Sequence, residues 1–178
     1  MPCRYGDAVV RELMRSGETF GVAPYGLEAL NVMRVEKGHA AGAELNGQTT
    51  AADLGLGRMM AMGKDFIGRA LSQREALIEP ERLALVGIKP LDPSVRLTAG
   101  AHFLALGAET RAENDEGHVT SVAFSPSLNS PIGLGLLRRG RERIGEKLRV
   151  HDAVRGTDIR VEICPTCFID PEGTRLRG

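Results

Sequence analysis

Two side chains in the first half of the sequence have the chemistry to bind a small polar ligand. Glu36 precedes a glycine in segment 31–38, Asn-Val-Met-Arg-Val-Glu-Lys-Gly, and Lys64 lies in segment 63–68, Gly-Lys-Asp-Phe-Ile-Gly. A carboxylate accepts two adjacent N–H groups of a heterocycle at once, and an ammonium group attracts carboxylates. Neither segment alone identifies a function, because exposed Glu and Lys side chains are common.

Short elements are predicted to position these side chains. Residues 32–36 alternate between apolar and polar side chains, which predicts a short strand before a glycine turn. One helix is predicted from Asp7 to Gly17, a second from Pro24 to about Leu30, and a third from Arg69 to about Ala76. The spacing of Thr50 and Asp53 fits a variant of the capping box.

The sequence changes in character after Pro80. Short stretches with β-strand character follow one another at near-regular spacing and are separated by Gly, Pro, Asn and Asp, which indicates an antiparallel barrel or sandwich. The predicted strands are 83–88, 95–97, 101–104, 117–124, 132–137, 148–150 and 157–163. We therefore expect an α+β chain, mixed in residues 1–80 and nearly all β in residues 81–178.

Composition excludes several classes of function. The 178 residues include 23 basic and 23 acidic side chains, so no overall charge favours nucleic acid or an anionic membrane. Aromatic residues are 4% of the chain and Trp is absent, which argues against a base-stacking surface. No run approaches the ~18–20 apolar residues of a membrane span, and no apolar signal core opens the chain. The expected compartment is the cytoplasm.

Cysteine and glycine spacings predict neither a metal site nor a dinucleotide site. Three cysteines, an odd number, argue against a disulfide framework. Cys164 and Cys167 form a Cys-x-x-Cys pair, but structural zinc needs four ligands, and the remaining Cys and His residues lack ligand spacing. Gly133 and Gly135 lack the third glycine and the following helix of a dinucleotide fingerprint.

Several segments in combination resemble one family. Residues 117–128, Gly-His-Val-Thr-Ser-Val-Ala-Phe-Ser-Pro-Ser-Leu, and the following Pro-Ile-Gly-Leu-Gly at 131–135 resemble the G-x-V-T-S-x-x-x-S-P segment of the glycine-cleavage T-protein, or aminomethyltransferase, family. With segments 33–38 and 65–68, the resemblance covers nearly the whole chain. The ending at 164–173, Cys-Pro-Thr-Cys-Phe-Ile-Asp-Pro-Glu-Gly, is similar to the branch that forms the C-terminal part of sarcosine oxidase alpha subunits.

The resemblance implies a fold, a cofactor and partners. Residues 1–80 would be the C-terminal half of a folate-binding aminomethyltransferase domain, and residues 81–178 the T-protein-type barrel. The implied cofactor is tetrahydrofolate, with FAD, FMN and NAD elsewhere in the parent complex. The implied partners are the remainder of the alpha subunit and the other sarcosine oxidase subunits. Since half a domain would leave apolar surface uncovered along residues 1–80, we also expect an exposed apolar patch there, covered by self-association or by docking of a partner.

The resemblance also suggests roles for individual residues. Glu36 would recognise the pterin ring; the alternative is a solvated glutamate paired with Lys37 or Arg34. Lys64 falls where relatives place a basic residue near the folate tail, but it could equally be a surface lysine, and it lacks the planar fork of arginine. Tyr25 could stack on the ligand or simply pack. The family's catalytic aspartate lies outside the matched part, so no catalytic residue is assigned.

Two alternative functions remain open from the sequence. The chain could be a non-catalytic folate-binding or assembly module, and on its own it is expected to be inactive. It could also belong to a related aminomethyltransferase or to a dimethylglycine-oxidising enzyme, because a shared fold does not fix the substrate.

Overall fold

A closed six-stranded antiparallel barrel forms the second half of the molecule. The computed structural model describes residues 2–61 and 63–177. The strands are β1 Leu83–Pro90, β2 His102–Leu104, β3 Gly117–Ser125, β4 Ser130–Arg138, β5 Lys147–Asp152 and β6 Thr157–Cys164. Their order is β1-β4-β3-β2-β5-β6, and pairing of β1 with β6 closes the barrel. The predicted α+β fold with a C-terminal barrel is confirmed.

The barrel separates two apolar clusters. The first draws residues from every strand and therefore fills the interior, with Phe103 and Ile88 fully buried. The second lies on the outer side of β1 and β4, because side chains alternate across a strand, and there it packs against Val35. We call these the inner cluster and the outer cluster. The outer cluster consists of Val35, Leu85, Ile132, Leu134 and Leu136.

Two glycines of β4 make room for the inner cluster. A Cβ atom at Gly135 would lie 2.7 Å from the ring of Phe103, and one at Gly133 would lie 2.9 Å from Cγ1 of Ile88. Both distances are shorter than normal carbon contacts, so side chains at these positions would displace the core. The Gly-x-Gly pair thus serves interior packing.

An irregularity in β3 decides which side chains face the outer cluster. Val119 pairs with Gly135 but Ser121 pairs with Leu134, so one extra residue, Thr120, is accommodated between them. Such a bulge shifts the alternation of the strand by one residue. Val119 faces the interior, whereas Ala123 packs against the outer cluster. Ser121 and Ser125 share the face of Ala123, because residues two apart lie on one face.

The chain divides into two compact units, residues 1–30 and 31–178. The α-helices are α1 Gly6–Gly17, α2 Leu27–Lys37, α3 Arg69–Ser72, α4 Glu75–Ile78 and α5 Thr174–Arg177. The 3-10 turns are Cys3–Tyr5, Glu18–Phe20, Gly42–Glu44, Gly57–Met59, Ala112–Asn114 and Gly140–Arg143. None of the helices that the described residues form has the length and apolarity needed to span a bilayer.

The predicted strand at 32–36 is wrong, because these residues form the C-terminal half of α2. Leu, Glu, Ala, Met, Arg and Lys, all strong helix formers, dominate the helix. Gly38 ends it in the left-handed conformation, at φ 74°. The N–H of Gly38 donates to the carbonyl of Val35 at 3.0 Å, and that of His39 to Arg34 at 2.8 Å, the pattern of a Schellman cap. Five residues are too few for the alternation to distinguish the two-residue period of a strand from the ~3.6-residue period of a helix.

Three smaller predictions also need correction. Residues 95–97 do not form a strand. Instead, Leu97 packs into the inner cluster from a loop, which explains its apolar character. The helix expected from Pro24 begins only at Leu27. The helix expected over 69–76 consists of two short helices, α3 and α4.

Candidate functional site

Glu36 lies in the last turn of α2 and is almost buried, with 8% of its surface exposed. Its backbone carbonyl, one of the groups that a helix end leaves without an intrahelical partner, accepts the N–H groups of Phe168 at 2.8 Å and Ile169 at 3.2 Å. Val35, its neighbour in the helix, is fully buried in the outer cluster. The backbone of Glu36 is therefore fixed from two sides.

Ser125 holds one oxygen of the Glu36 carboxylate. The Ser125 hydroxyl, which is fully buried, donates to Oε1 of Glu36 at 2.5 Å. Oε2 of Glu36 accepts no hydrogen bond from any residue that the structure describes. Glu36 is paired with neither Lys37 nor Arg34, the two partners that a simple surface glutamate would have: Lys37 contacts Asp170, and Arg34 contacts Glu44.

Glu44 is a second buried acid next to this helix, and its hydrogen bonds are more numerous. Its carboxylate accepts from Ser121 Oγ at 2.5 Å, from the N–H of Ala41 at 2.9 Å and from Arg34 at 3.1 Å. Burial raises the pKa of Glu44, but hydrogen bonds from Ser121 and Thr120 and the charge of Arg34 outweigh it, so the pKa is lowered. A fully buried, fully paired carboxylate of this kind stabilises structure.

A third acid, Asp53, joins the region before the barrel to β1. Arg82 contacts both of its carboxylate oxygens, at 3.1 and 2.5 Å, and the N–H of Thr50 donates to it at 2.8 Å. The N–H of Asp53 in turn donates to Oγ1 of Thr50 at 3.2 Å, the reciprocal arrangement expected of a capping box. Burial raises the pKa of Asp53, and the bonds from Arg82 and Thr50 lower it by more.

The other two predicted site residues lie on exposed surface. Lys64 occupies a turn before α3, where its N–H donates to Ala61 at 3.1 Å. Among the described residues, no carboxylate forms an ion pair with Lys64, and no hydrogen bond joins it to Glu36. Tyr25 lies in the unit formed by residues 1–30, just before α2, with 66% of its surface exposed.

The segment that follows β6 packs closely on α2. A Cβ atom at Gly38 would lie 2.5 Å from the carbonyl oxygen of Thr166, so only glycine fits there. The positive φ of this residue also favours glycine. Lys37 donates to the backbone carbonyl of Asp170. Cys164, the last residue of β6, and Cys167 of the following segment are free thiols. Burial raises the pKa of Cys164 to about 11, so this thiol is protonated at neutral pH.

A cavity of about 720 Å³ lies between residues 46–49 and the adjoining ends of β3 and β4. Its charged walls are largely paired with one another or with neighbours: Asp53 with Arg82, Asp115 with His102, and Glu116 with Arg143. In the described part of the chain, no three His, Cys, Asp or Glu side chains are grouped so that they could hold a metal ion.

Sequence reasoning missed the partners of the acids. Ser125 and Ser121 belong to the motif at 117–126, and their spacing of four residues is consistent with one face of a strand. The contacts join residues 89 and 77 positions apart, and no local pattern gives such pairings. The available signal was polarity: a serine in an otherwise apolar strand requires a partner when it is buried.

Comparison with known proteins identifies both halves of the chain. The glycine cleavage T-protein C-terminal barrel domain matches residues 84–170, and the GCVT N-terminal domain matches residues 1–64. The structure is similar to the glycine cleavage system aminomethyltransferase T from Bartonella henselae, with a TM-score of 0.71 and 24% sequence identity, over 96% of this chain and 45% of that one.

Curated relatives are similar over the whole chain. Sarcosine oxidase subunit alpha from Rhizobium meliloti (strain 1021) is 45% identical over 99% of this chain, and that from Corynebacterium sp. (strain P-1) is 36% identical over 100%. An aminomethyltransferase from Pseudothermotoga lettingae is 32% identical over 93%. The chain spans only 18% of the length of the two alpha subunits and 44% of that aminomethyltransferase. Matched in both halves, it belongs to the glycine cleavage T-protein (aminomethyltransferase) family.

Proposed function

We propose that this chain forms part of a tetrahydrofolate site in the C-terminal part of a sarcosine oxidase alpha subunit. In this proposal, residues 1–80 are the C-terminal half of the folate-binding domain and residues 81–178 are the barrel that supports it. The subunit would act in the cytoplasm, in the oxidative demethylation of sarcosine to glycine. The similarity to sarcosine oxidase alpha subunits over the whole chain favours this substrate.

The state of the Glu36 carboxylate is the observation that carries the proposal. The pterin edge of tetrahydrofolate offers two adjacent N–H donors, which a carboxylate accepts side by side. Oε2 of Glu36 has no hydrogen-bond donor among the described residues. Oε1 accepts one hydrogen bond from Ser125 and keeps a second lone pair. The residue as a whole keeps 8% of its surface exposed. The donor and acceptor sets therefore fit.

Two exposed side chains would complete the contacts. Lys64 has no carboxylate partner among the described residues, so its charge is available for the glutamate tail of the folate. Because an ammonium group is a compact charge without a planar fork, we expect it to attract the tail without fixing its orientation. Tyr25 would offer its ring for stacking or its hydroxyl for a hydrogen bond.

When bound, tetrahydrofolate would accept the one-carbon unit that sarcosine oxidation releases. This chain would bind and orient it. Oxidation itself would take place at a flavin outside the chain, and FAD, FMN and NAD would be held by other parts of the complex. The remainder of the alpha subunit and the other sarcosine oxidase subunits would be the partners.

Calorimetry with tetrahydrofolate on the full-length subunit tests the role of Glu36. We expect Glu36→Ala to weaken binding by at least tenfold, because a charged hydrogen-bond acceptor is lost at the pterin edge. Glu113→Ala, at an exposed acid of the barrel, is the matched control and should bind as the wild type does. Equal affinities of the wild type and Glu36→Ala would refute the assignment.

An assembly module without chemistry is a second candidate, favoured by the exposed apolar side chains of residues 1–30. Phe20 is 85% exposed and Leu27 is 84% exposed. Sarcosine-dependent peroxide formation by the purified 178-residue chain would exclude this candidate; we expect none. Comparing sarcosine with dimethylglycine as substrates of the full-length complex separates the related oxidising enzymes from the proposed one.

A further inference from the structure

Strand β3 contacts two acids of the preceding region through two serines of the same motif. Beyond the bulge at Thr120, Ser121 and Ser125 lie on the face of β3 that carries Ala123 of the outer cluster. Ser121 donates to Glu44 and Ser125 to Glu36, both at 2.5 Å. The two contacts are alike in chemistry and length, but their surroundings differ.

The hydroxyl of Ser125 has a defined direction. Its oxygen accepts the N–H of Leu128, in the turn after β3, at 3.1 Å. A hydroxyl has one proton to donate, and with Leu128 occupying a lone pair the proton points to Oε1 of Glu36. Successive hydrogen bonds of this kind polarise and strengthen one another. These two consecutive hydrogen bonds, from Leu128 to Ser125 and from Ser125 to Glu36, therefore fix the rotation of the carboxylate.

Glu36 needs such a partner more than most glutamates do. It lies at the C-terminal end of α2, where the helix dipole disfavours a negative charge. Its backbone is held by Phe168 and Ile169, so the side-chain torsions are the freedom that remains. Without Ser125, the carboxylate would have no hydrogen-bond donor among the described residues. It could then rotate away from the orientation that leaves Oε2 unbonded.

We propose that Ser125 is a positioning residue for ligand recognition: it occupies Oε1 of Glu36 and thereby presents Oε2 to the amino-substituted edge of the ligand ring. This inference rests on the proposed folate function. Ser121 has the same bond to an acid that Arg34 and Ala41 already hold, so it has no such role. The two serines form a matched pair for a test.

The test compares two ligands on the full-length subunit. Tetrahydrofolate carries the 2-amino group, and its 2-desamino-2-methyl analogue does not. The dissociation constant of the analogue divided by that of tetrahydrofolate therefore reports how well Glu36 faces that edge, and we call this quotient the ratio. The variants are Ser125→Ala, Ser125→Cys, Ser121→Ala and Glu36→Gln. Cysteine fills the space of serine but is a weak donor, so it addresses the same question if the alanine variant fails to fold.

We expect the ratio to fall by about tenfold in both Ser125 variants and in Glu36→Gln, and to stay unchanged in Ser121→Ala. Merely structural damage would weaken both ligands alike and leave the ratio as it was. A wild-type ratio in the Ser125 variants, together with a reduced ratio in Glu36→Gln, would overturn the role of Ser125 and leave the folate function standing. A wild-type ratio in Glu36→Gln as well would overturn both.

Discussion

The barrel and the region before it differ in how completely they bury their apolar side chains. Strands β1 to β6 close on themselves and contain nearly all of the buried core, including Phe103, Ile88 and Leu134. In the described part of residues 1–80, the buried apolar side chain is Val35. The large exposed ones there are Tyr5, Val9, Val10, Leu13, Phe20, Val22, Tyr25, Leu27, Leu30, Met33, Leu45, Leu56, Met59, Ile67, Leu71 and Ile78.

The candidate site obtains its rigidity from the barrel. Val35 packs on the barrel, and the next residue, Glu36, is held by Ser125 of β3. A closed barrel has no free edge and little freedom to rearrange. The acid that we propose to bind the pterin is thus held by the well-packed region, whereas most of the large exposed apolar side chains lie in residues 1–80.

The largest expected effect is on the free energy of unfolding, which should respond differently to the same substitution in the two regions. Phe103→Ala should lower the free energy of unfolding by about 3–5 kcal/mol, because it empties space in the inner cluster. Phe20→Ala removes the same atoms from a side chain that is 85% exposed. It should change the free energy of unfolding by less than about 0.5 kcal/mol. Urea unfolding followed by circular dichroism measures both. Similar losses would contradict the contrast between the regions.

The next effect concerns the buried ion pair between Arg34 of α2 and Glu44 of the turn Gly42–Glu44. Glu44→Gln should cost about 3 kcal/mol, because it leaves Arg34 next to a buried neutral side chain. The folded-state pKa of Glu44 lies below its ordinary value of 4.5. Its contribution is therefore complete above about pH 4.5 and is lost as pH falls through the lowered pKa. The stability difference between wild type and variant should shrink in that range.

Glu113→Gln is the control for this experiment, because Glu113 is exposed and no ion pair with it is formed among the described residues. It should change stability by less than about 0.5 kcal/mol at any pH between 3 and 7. A difference between wild type and Glu44→Gln that grew on acidification would show that the pKa is raised in the folded state, against this account.

The smallest expected effect is on association. We expect the 178-residue chain alone to self-associate through the apolar side chains of residues 1–30, and Phe20→Ser with Leu27→Ser to weaken this by about tenfold or more. Val154→Ser, at a side chain of the barrel that is 91% exposed, should have no effect. Sedimentation at several concentrations measures this. A wild-type chain that stays monomeric at high concentration would argue against it.

The sequence predicted the barrel better than the site. Alternation located β3, β4 and β6 to within a residue or two, because each strand has one face in the inner cluster. Alternation failed at 32–36, where five residues are too few to separate a strand from a helix. The resemblance pointed to Glu36, but its bond to Ser125 depends on a bulge and on closure of the barrel, which are tertiary features.

A co-crystal structure of the full-length subunit with 5-formyltetrahydrofolate would show whether the pterin binds at Glu36. We expect the ring nitrogen N3 and the 2-amino nitrogen of the pterin to lie within about 3.2 Å of the Glu36 carboxylate, with Ser125 still bonded to Oε1. A pterin bound elsewhere, with the Glu36 carboxylate contacting only protein, would contradict it.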